Sequence, residues 1–249
     1  MKNLKYIVLG FFAGFSSAFL GVGGGVVMVP ALVFFFGYAM QKAAGTSLAT
    51  IVPAAFVGAL THYLIKSGNI HFISVLYIVL GAVAGSRIGS ILANKANNRV
   101  LKILFAFFLI FIGVRQAGIV NFQITAAMNL ASIPSFVILG FAAGLVSALF
   151  GIGGGVIMVP VLNIFFGFPM HEAIATSITV IVPTAAAGAF FHSEFGNIDR
   201  EAVKCLIPGA MVGAILGAVL SNMTDPGALK IILGGVILLC AVKMFFKTE

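Results

Sequence analysis

The sequence predicts an all-α polytopic membrane protein made of two inverted-topology repeats of five helical segments each, with short broken helices at glycine-rich motifs. Three observations predict it. Hydrophobic residues make up 61% of the 249 and charged residues only 8%, where a soluble domain carries about 25% charge; the mean hydropathy is +1.19. A ten-residue stretch, Gly21-Val22-Gly23-Gly24-Gly25-Val26-Val27-Met28-Val29-Pro30, returns as Gly151-Ile152-Gly153-Gly154-Gly155-Val156-Ile157-Met158-Val159-Pro160, 130 residues on (151 minus 21). Basic residues gather on alternate loops, the pattern that orients spans in a membrane.

Apolar segments fall at Tyr6–Leu20, Gly25–Gly37, Ala43–Ile65, Phe72–Ala93 and Val100–Val114, then at Pro134–Phe150, Gly155–Phe168, Ala173–His192, Ala202–Leu220 and Gly227–Phe246. Residues 1–118 form the first repeat, 119–133 a linker and 134–249 the second. Lys2 and Lys5 followed by Tyr6–Leu20 resemble a signal peptide. The same pattern recurs mid-chain at Leu139–Ala148, so the first segment is expected to stay in the protein. Tyr6–Leu20 and Gly25–Gly37 hold 15 and 13 residues, whereas a full span needs about 20. They are either tilted short spans or half-helices joined as a re-entrant hairpin, and the lengths favour the hairpin. Either way each repeat crosses an odd number of times, which inverts the second relative to the first.

The two halves correspond in detail. Thr46-Ser47 matches Thr176-Ser177, Ile51-Val52-Pro53 matches Ile181-Val182-Pro183, and Gly58 and His62 match Gly188 and His192. Gly68-Asn69-Ile70 matches Gly196-Asn197-Ile198, and Gly81, Gly85 and Gly89 match Gly209, Gly213 and Gly217. With the N-terminus in the cytoplasm, Lys2, Lys5, Lys42, Lys95, Arg99, Lys102, Arg200, Lys204, Lys243 and Lys247 lie on or near the inside. Lys66, Arg115 and Lys230 fall outside. This places both termini in the cytoplasm; the expected location is the cell inner membrane. The net charge of +8 reflects that topology rather than nucleic acid, because the basic residues form no patch with interleaved aromatics.

The glycine clusters are the first candidate site. Inside so apolar a run, non-helical backbone is tolerated only where protein or a water-filled cavity satisfies it. Val26 and Val156 open short helices whose N-terminal amides point back at Gly23, Gly24 and Gly25, and at Gly153, Gly154 and Gly155. Such ends favour anions; the competing reading is a tight hairpin that simply needs glycine. Pro53 and Pro183 interrupt long spans and free the carbonyls of Ala49 and Thr179. The hydroxyls of Thr46, Ser47, Thr176 and Ser177 either line a path or bond back to their own helices. Arg87 is the one charge well inside a span, and it either draws anions or snorkels to the surface. His62 and His192 read as interfacial belt residues, and the glycines four apart as helix-packing surfaces.

Absences narrow the function. No Asp or Glu lies deep in a span, which leaves carboxylate-based proton or sodium coupling without a candidate. The glycine motif lacks the Lys-Ser/Thr of a nucleotide loop. Cys205 and Cys240 have no neighbours at metal-ligand spacing and read as buried, unpaired thiols, so neither metal nor cofactor is called for. No hydrolase motif is present.

The duplicated Gly-[Val/Ile]-Gly-Gly-Gly-x-[Val/Ile]-Met-Val-Pro stretch, the Thr-Ser pairs with their following Val-Pro and the Gly-Asn-Ile turns resemble the sulfite exporter TauE/SafE family over essentially the whole chain. The resemblance implies a permease for small, often sulfur-containing anions. It maps the family's motif onto Gly23–Gly25, Pro30, Thr46, Ser47 and Pro53, and onto Gly153–Gly155, Pro160, Thr176, Ser177 and Pro183. Ala175 stands where the first half has Gly45, a departure from symmetry. The expectation is a transporter, not an enzyme, that exports a small anion, most readily sulfite or an organosulfonate such as sulfoacetate, by alternating access in the lipid bilayer. An importer of another small anion and a non-transporting membrane assembly partner are the alternatives. Nothing in the sequence fixes an oligomeric state.

Overall fold

The computed structural model describes residues 2–65, 70–105, 107, 133–225, 227–229, 231–232 and 235. Eight helices organise them: α1 (Lys2–Leu20), α2 (Gly25–Phe35), α3 (Met40–Ile65), α4 (Phe72–Lys95), α5 (Ile133–Phe150), α6 (Gly155–Ile164), α7 (Met170–Glu194) and α8 (Arg200–Met223). Helical turns continue through residues 98–105. There is no strand among the described residues. Helices are the economical answer for so apolar a chain, since each pairs its own backbone groups where lipid offers no partner. Six of them, all but α2 and α6, are long and apolar enough to cross a membrane. Phe12, Phe35, Phe56, Leu64 and Ile73 are exposed on the outside, as a surface solvated by acyl chains requires. Residues 119–132 of the linker, most of Val100–Val114 and Gly227–Phe246, and Lys66, Arg115, Lys230 and Cys240 lie outside the described residues.

The long helices run in two directions, and their contacts show which. Tyr6 Oη sits 3.1 Å from Tyr38 Oη, and Tyr38 donates to Asp199 Oδ2 at 2.9 Å, so α1, α3 and α8 start together. Gln41 Nε2 donates to the Ala96 carbonyl and Met40 N to Asn98 Oδ1, so α4 ends there. Asn197, just beyond α7, meets Asn94 and packs on Gly45. At the opposite end His71, at the head of α4, reaches Glu172 at the head of α7, and His171 meets the Ser221 carbonyl near the tail of α8. Lys5, Lys42, Lys95, Arg99, Arg200 and Lys204 therefore share the first end, while Glu172 and Asp225 lie at the second.

Glycine sets the closest packing. A Cβ on Gly81, Gly85 or Gly89 of α4 would lie 2.0–2.3 Å from the carbonyls of Val137, Phe141 and Leu145 of α5. Gly209, Gly213 and Gly217 of α8 meet Ile7, Phe11 and Phe15 of α1 in the same way, at 2.0–2.4 Å. Real Cβ atoms do not approach backbone so closely, so the stripes act as the packing surfaces predicted from their spacing. In each pair a helix of one half lies against a helix of the other.

The short helices turn back. The Tyr6 ring stacks on Phe36 with centroids 4.4 Å apart, and Phe136 stacks on Phe166 at 4.6 Å. The start of α1 thus lies beside the end of α2, and the start of α5 beside the end of α6. At 1.5 Å per residue, α2 is about 16 Å long, roughly half the hydrocarbon thickness. Both hairpins turn at the glycine clusters.

Candidate functional site

The two glycine turns abut, and all ten residues Gly21–Gly25 and Gly151–Gly155 are buried. A Cβ on Gly25 would fall 2.0 Å from the Gly151 carbonyl oxygen, and one on Gly155 would fall 2.2 Å from that of Gly21. Gly23 approaches the Ile152 carbonyl as closely, at 2.1 Å. Gly153, between Ile51 and Ile181, adopts φ +90°, a conformation open chiefly to glycine. The glycines make the tight contact that the packing reading expects, and that contact brings two helix N-termini to one place.

Those N-termini carry unspent donors. The Gly24 carbonyl accepts from Val27 and Met28, and that of Gly154 from Ile157 and Met158. The N–H groups of Gly25, Val26, Gly155 and Val156 have no acceptor among the described residues. Neither helix has a side-chain cap. Four buried amides at the positive ends of two abutting helix dipoles suit an anion. The turns differ in one respect: Gly24 is right-handed (φ −63°) and Gly154 left-handed (φ +87°).

The hydroxyls next to the motif brace the turns. Ser47 Oγ donates to the Gly151 carbonyl and Ser177 Oγ to the Gly21 carbonyl, both at 2.8 Å and both buried. Each half thus holds the turn of the other. Thr46 Oγ1 accepts from Asp199 N at 3.0 Å, and Thr176 Oγ1 from His71 N at 3.4 Å. These bonds join the halves at opposite ends of the bundle. Pro53 and Pro183 lie midway along α3 and α7 and are partly exposed. The Gly45 and Ala175 difference has a packing cause on one side, because the Asn197 carbonyl would lie 2.2 Å from a Cβ at Gly45.

Arg87 is elsewhere. It pairs with Glu194 near the end of α7, over the ring of Phe191, and it is 46% exposed. Glu194 lies 107 residues away in sequence, so no local pattern could have announced the partner. The histidines depart from the expected interfacial role. His62 and His192 are 1% and 0% exposed, because their rings tie α3 and α7 to the ends of α1 and α5. His62 Nε2 lies 2.9 Å from the Ala18 carbonyl, and Asn222 donates to its Nδ1, so Nε2 carries the proton. His192 Nε2 meets the Ala148 carbonyl at 2.7 Å. Cys205 is free and partly buried.

A polar cluster that sequence reasoning missed closes the basic end. Asp199 caps α8 through the Ala202 amide and also faces Lys42 at 3.2 Å and the Tyr38 hydroxyl. The Ala202 N–H, helped by Tyr38 and Lys42, holds its carboxyl below the usual range against the effect of partial burial. Burial, with Tyr6 and Asp199 beside it, pushes the Tyr38 phenol upward. A surface groove of about 640 Å³ between α1 and α2 is lined by Val8, Phe12, Ala31 and Phe35.

An apolar bundle of helices whose two repeats interlock through broken hairpins belongs to the class of all-α polytopic membrane proteins. The profile of the sulfite exporter TauE/SafE family matches residues 1–116 and 136–249, and the chain belongs to that family. It is 29% identical to "Probable membrane transporter protein YunE" of Bacillus subtilis, over 99% of this chain and 98% of the relative. "Probable membrane transporter protein YdhB" of the same organism is 29% identical over 90% and 92%. A protein of Methanocaldococcus jannaschii with the same description is 27% identical over 93% and 91%. No solved structure matches the chain. Family and relatives make it a membrane transporter.

Proposed function

We propose that this transporter exports a small anion, most readily sulfite or an organosulfonate such as sulfoacetate, by alternating access of inverted repeats. One observation carries the reading: four buried, unpaired backbone amides at two abutting helix N-termini. Backbone donors recognise an oxyanion without a carboxylate or a metal. Discontinuous helices presenting such ends at a repeat interface are a recurring transporter arrangement. Gly23–Gly25 and Gly153–Gly155 supply the cradle. Ser47, Ser177, Thr46 and Thr176 hold its shape, and Pro53 and Pro183 each remove one helical hydrogen bond midway along α3 and α7. Arg87, neutralised by Glu194, acts at a distance.

Equivalent helices pointing opposite ways support the inverted arrangement. The collection of basic residues at one end supports a cytoplasmic placement of that end and of the N-terminus. The glycine turns are buried in this conformation, so in this reading a solute reaches them only after the halves move. Export needs no coupling ion, because an interior negative by 100 mV drives a monovalent anion outward with about 2.3 kcal/mol.

Proteoliposomes test this. Sulfite or sulfoacetate efflux that accelerates with an inside-negative potential is the expected result. Wild-type protein that moves neither, nor any other small anion, at any potential refutes the proposal.

A further inference from the structure

Two serines that the motif does not include sit in the last helical turns before the glycines. Ser17 and Ser147 are 1% and 0% exposed, and their hydroxyls have no hydrogen-bond partner among the described residues. They are equivalent residues, each four before the first glycine of its cluster. The Ser17 carbonyl accepts from Gly21 N at 2.9 Å, and the Ser147 carbonyl from Gly151 N at 2.8 Å. Their direction follows from helix geometry. At about 100° per residue, Tyr6, Ala13 and Ser17 lie within roughly 40° of one another on α1. Tyr6 stacks on the end of α2, and the Ala13 carbonyl would be 2.6 Å from a Cβ on Gly24, at its beginning. Ser17 follows one turn later, between Ala13 and the glycines, on the concave side of the hairpin. Phe136, Ala143 and Ser147 repeat the spacing on α5, with Phe136 on Phe166 and the Ala143 carbonyl 3.1 Å from a Cβ at Gly154.

We propose that the Ser17 and Ser147 hydroxyls are ligands of the transported oxyanion, each donating one hydrogen bond beside the free amides of Gly25-Val26 and Gly155-Val156. The assignment rests on the anion-transport reading and adds side chains to it. Buried hydroxyls find partners in folded proteins, and an arriving oxyanion supplies an acceptor to both at once. Because a hydroxyl accepts as well as donates, the serines also tolerate a protonated oxyanion such as bisulfite, which bare amides do not favour. Ser221 is likewise buried without a partner but lies at the tail of α8 beside His171, away from the turns, and serves as the control.

The experiment measures sulfite and sulfate binding to the full chain in lipid nanodiscs by ligand-induced thermal shift. Ser17→Ala and Ser147→Ala are each expected to weaken binding about tenfold, ~1.4 kcal/mol, without lowering the unliganded melting temperature; Ser221→Ala leaves binding unchanged. Ser17→Cys, close in size but a weak donor, provides a second variant and weakens binding in the same direction. Folded Ala or Cys variants that bind within twofold of the wild type overturn the serine assignment and leave anion transport standing. A melting temperature lowered by Ser→Ala, with binding unchanged, also overturns it and assigns the serines to packing. Wild-type protein that binds neither anion overturns the serine assignment and rules out sulfite as the solute, while the efflux assay decides anion export separately.

Discussion

The cross-braced turns make a quantitative prediction. Replacing Ser47 by Ala removes the donor to the Gly151 carbonyl, and replacing Ser177 by Ala removes the donor to that of Gly21. Both carbonyls follow the last turn of a long helix, where no intrahelical donor reaches them. Both serines are 0% exposed, so water does not substitute. A buried acceptor left without its partner costs about 1–3 kcal/mol. The cost falls on local opening of the turns rather than on the whole bundle, since glycine stripes hold the α1–α8 and α4–α5 pairs separately. At 1.36 kcal/mol per tenfold, that range corresponds to roughly 5–150-fold faster exchange. Hydrogen–deuterium exchange of peptides covering Gly21–Val26 and Gly151–Val156 reads it directly. Ser47→Ala is expected to accelerate exchange most at the second turn and Ser177→Ala at the first. Because the turns touch, the double variant should depart from additivity by about 0.5 kcal/mol or more. Exchange within twofold of wild type in both single variants refutes the claim that these serines hold the turns.

Three further outcomes follow from other contacts. Gly25→Ala places a methyl 2.0 Å from a backbone oxygen and should abolish accumulation of folded protein, whereas Gly37→Ala, with nothing within 4 Å but φ +69°, should cost only about 1–2 kcal/mol; membrane yield and melting temperature separate them. His62→Leu leaves the Ala18 carbonyl and Asn222 without their ring partner and should destabilise by roughly 1–3 kcal/mol, measured by thermal unfolding in detergent. Asp199→Asn keeps the cap but loses the charge facing Lys42, a partly exposed pair worth at most about 1 kcal/mol. Because folding depresses the Asp199 pKa, its charge stabilises above the unfolded value and that contribution is lost as pH falls through the folded one. The gap between wild type and Asp199→Asn should therefore persist to below 3.8, the ordinary value, and close only under stronger acid.

Much of this architecture is legible in the residues. Glycine clusters inside apolar runs, their duplication and the four-residue glycine spacing are local signals, and each corresponds to a turn or a packing stripe. Among the described residues, segment ends agree to within a few residues, with α3 starting at Met40 rather than Ala43, where Asn98 accepts its backbone N–H. What escaped depends on partners far along the chain. Ser47 and Ser177 were candidates for lining a path or bonding their own helix, but their acceptors are 104 and 156 residues away. Arg87 looked like a lone charge because Glu194 belongs to the other half. His62 and His192 looked interfacial because hydropathy reports depth along the membrane normal and not which side of a helix faces its neighbours. Asp199 gave no signal, since its equivalent position holds His71.

The exchange of partners between halves, α1 with α8 and α4 with α5, bears on how the chain is made. When the ribosome has released only the first four helices, the glycine faces of Gly81, Gly85 and Gly89 have no surface to seat on until α5 emerges. The nascent half must therefore wait, in lipid or beside an insertase, for its complement. Two separately encoded halves should restore one another when co-expressed and be degraded when alone, the behaviour of an obligate heterodimer fused into one polypeptide.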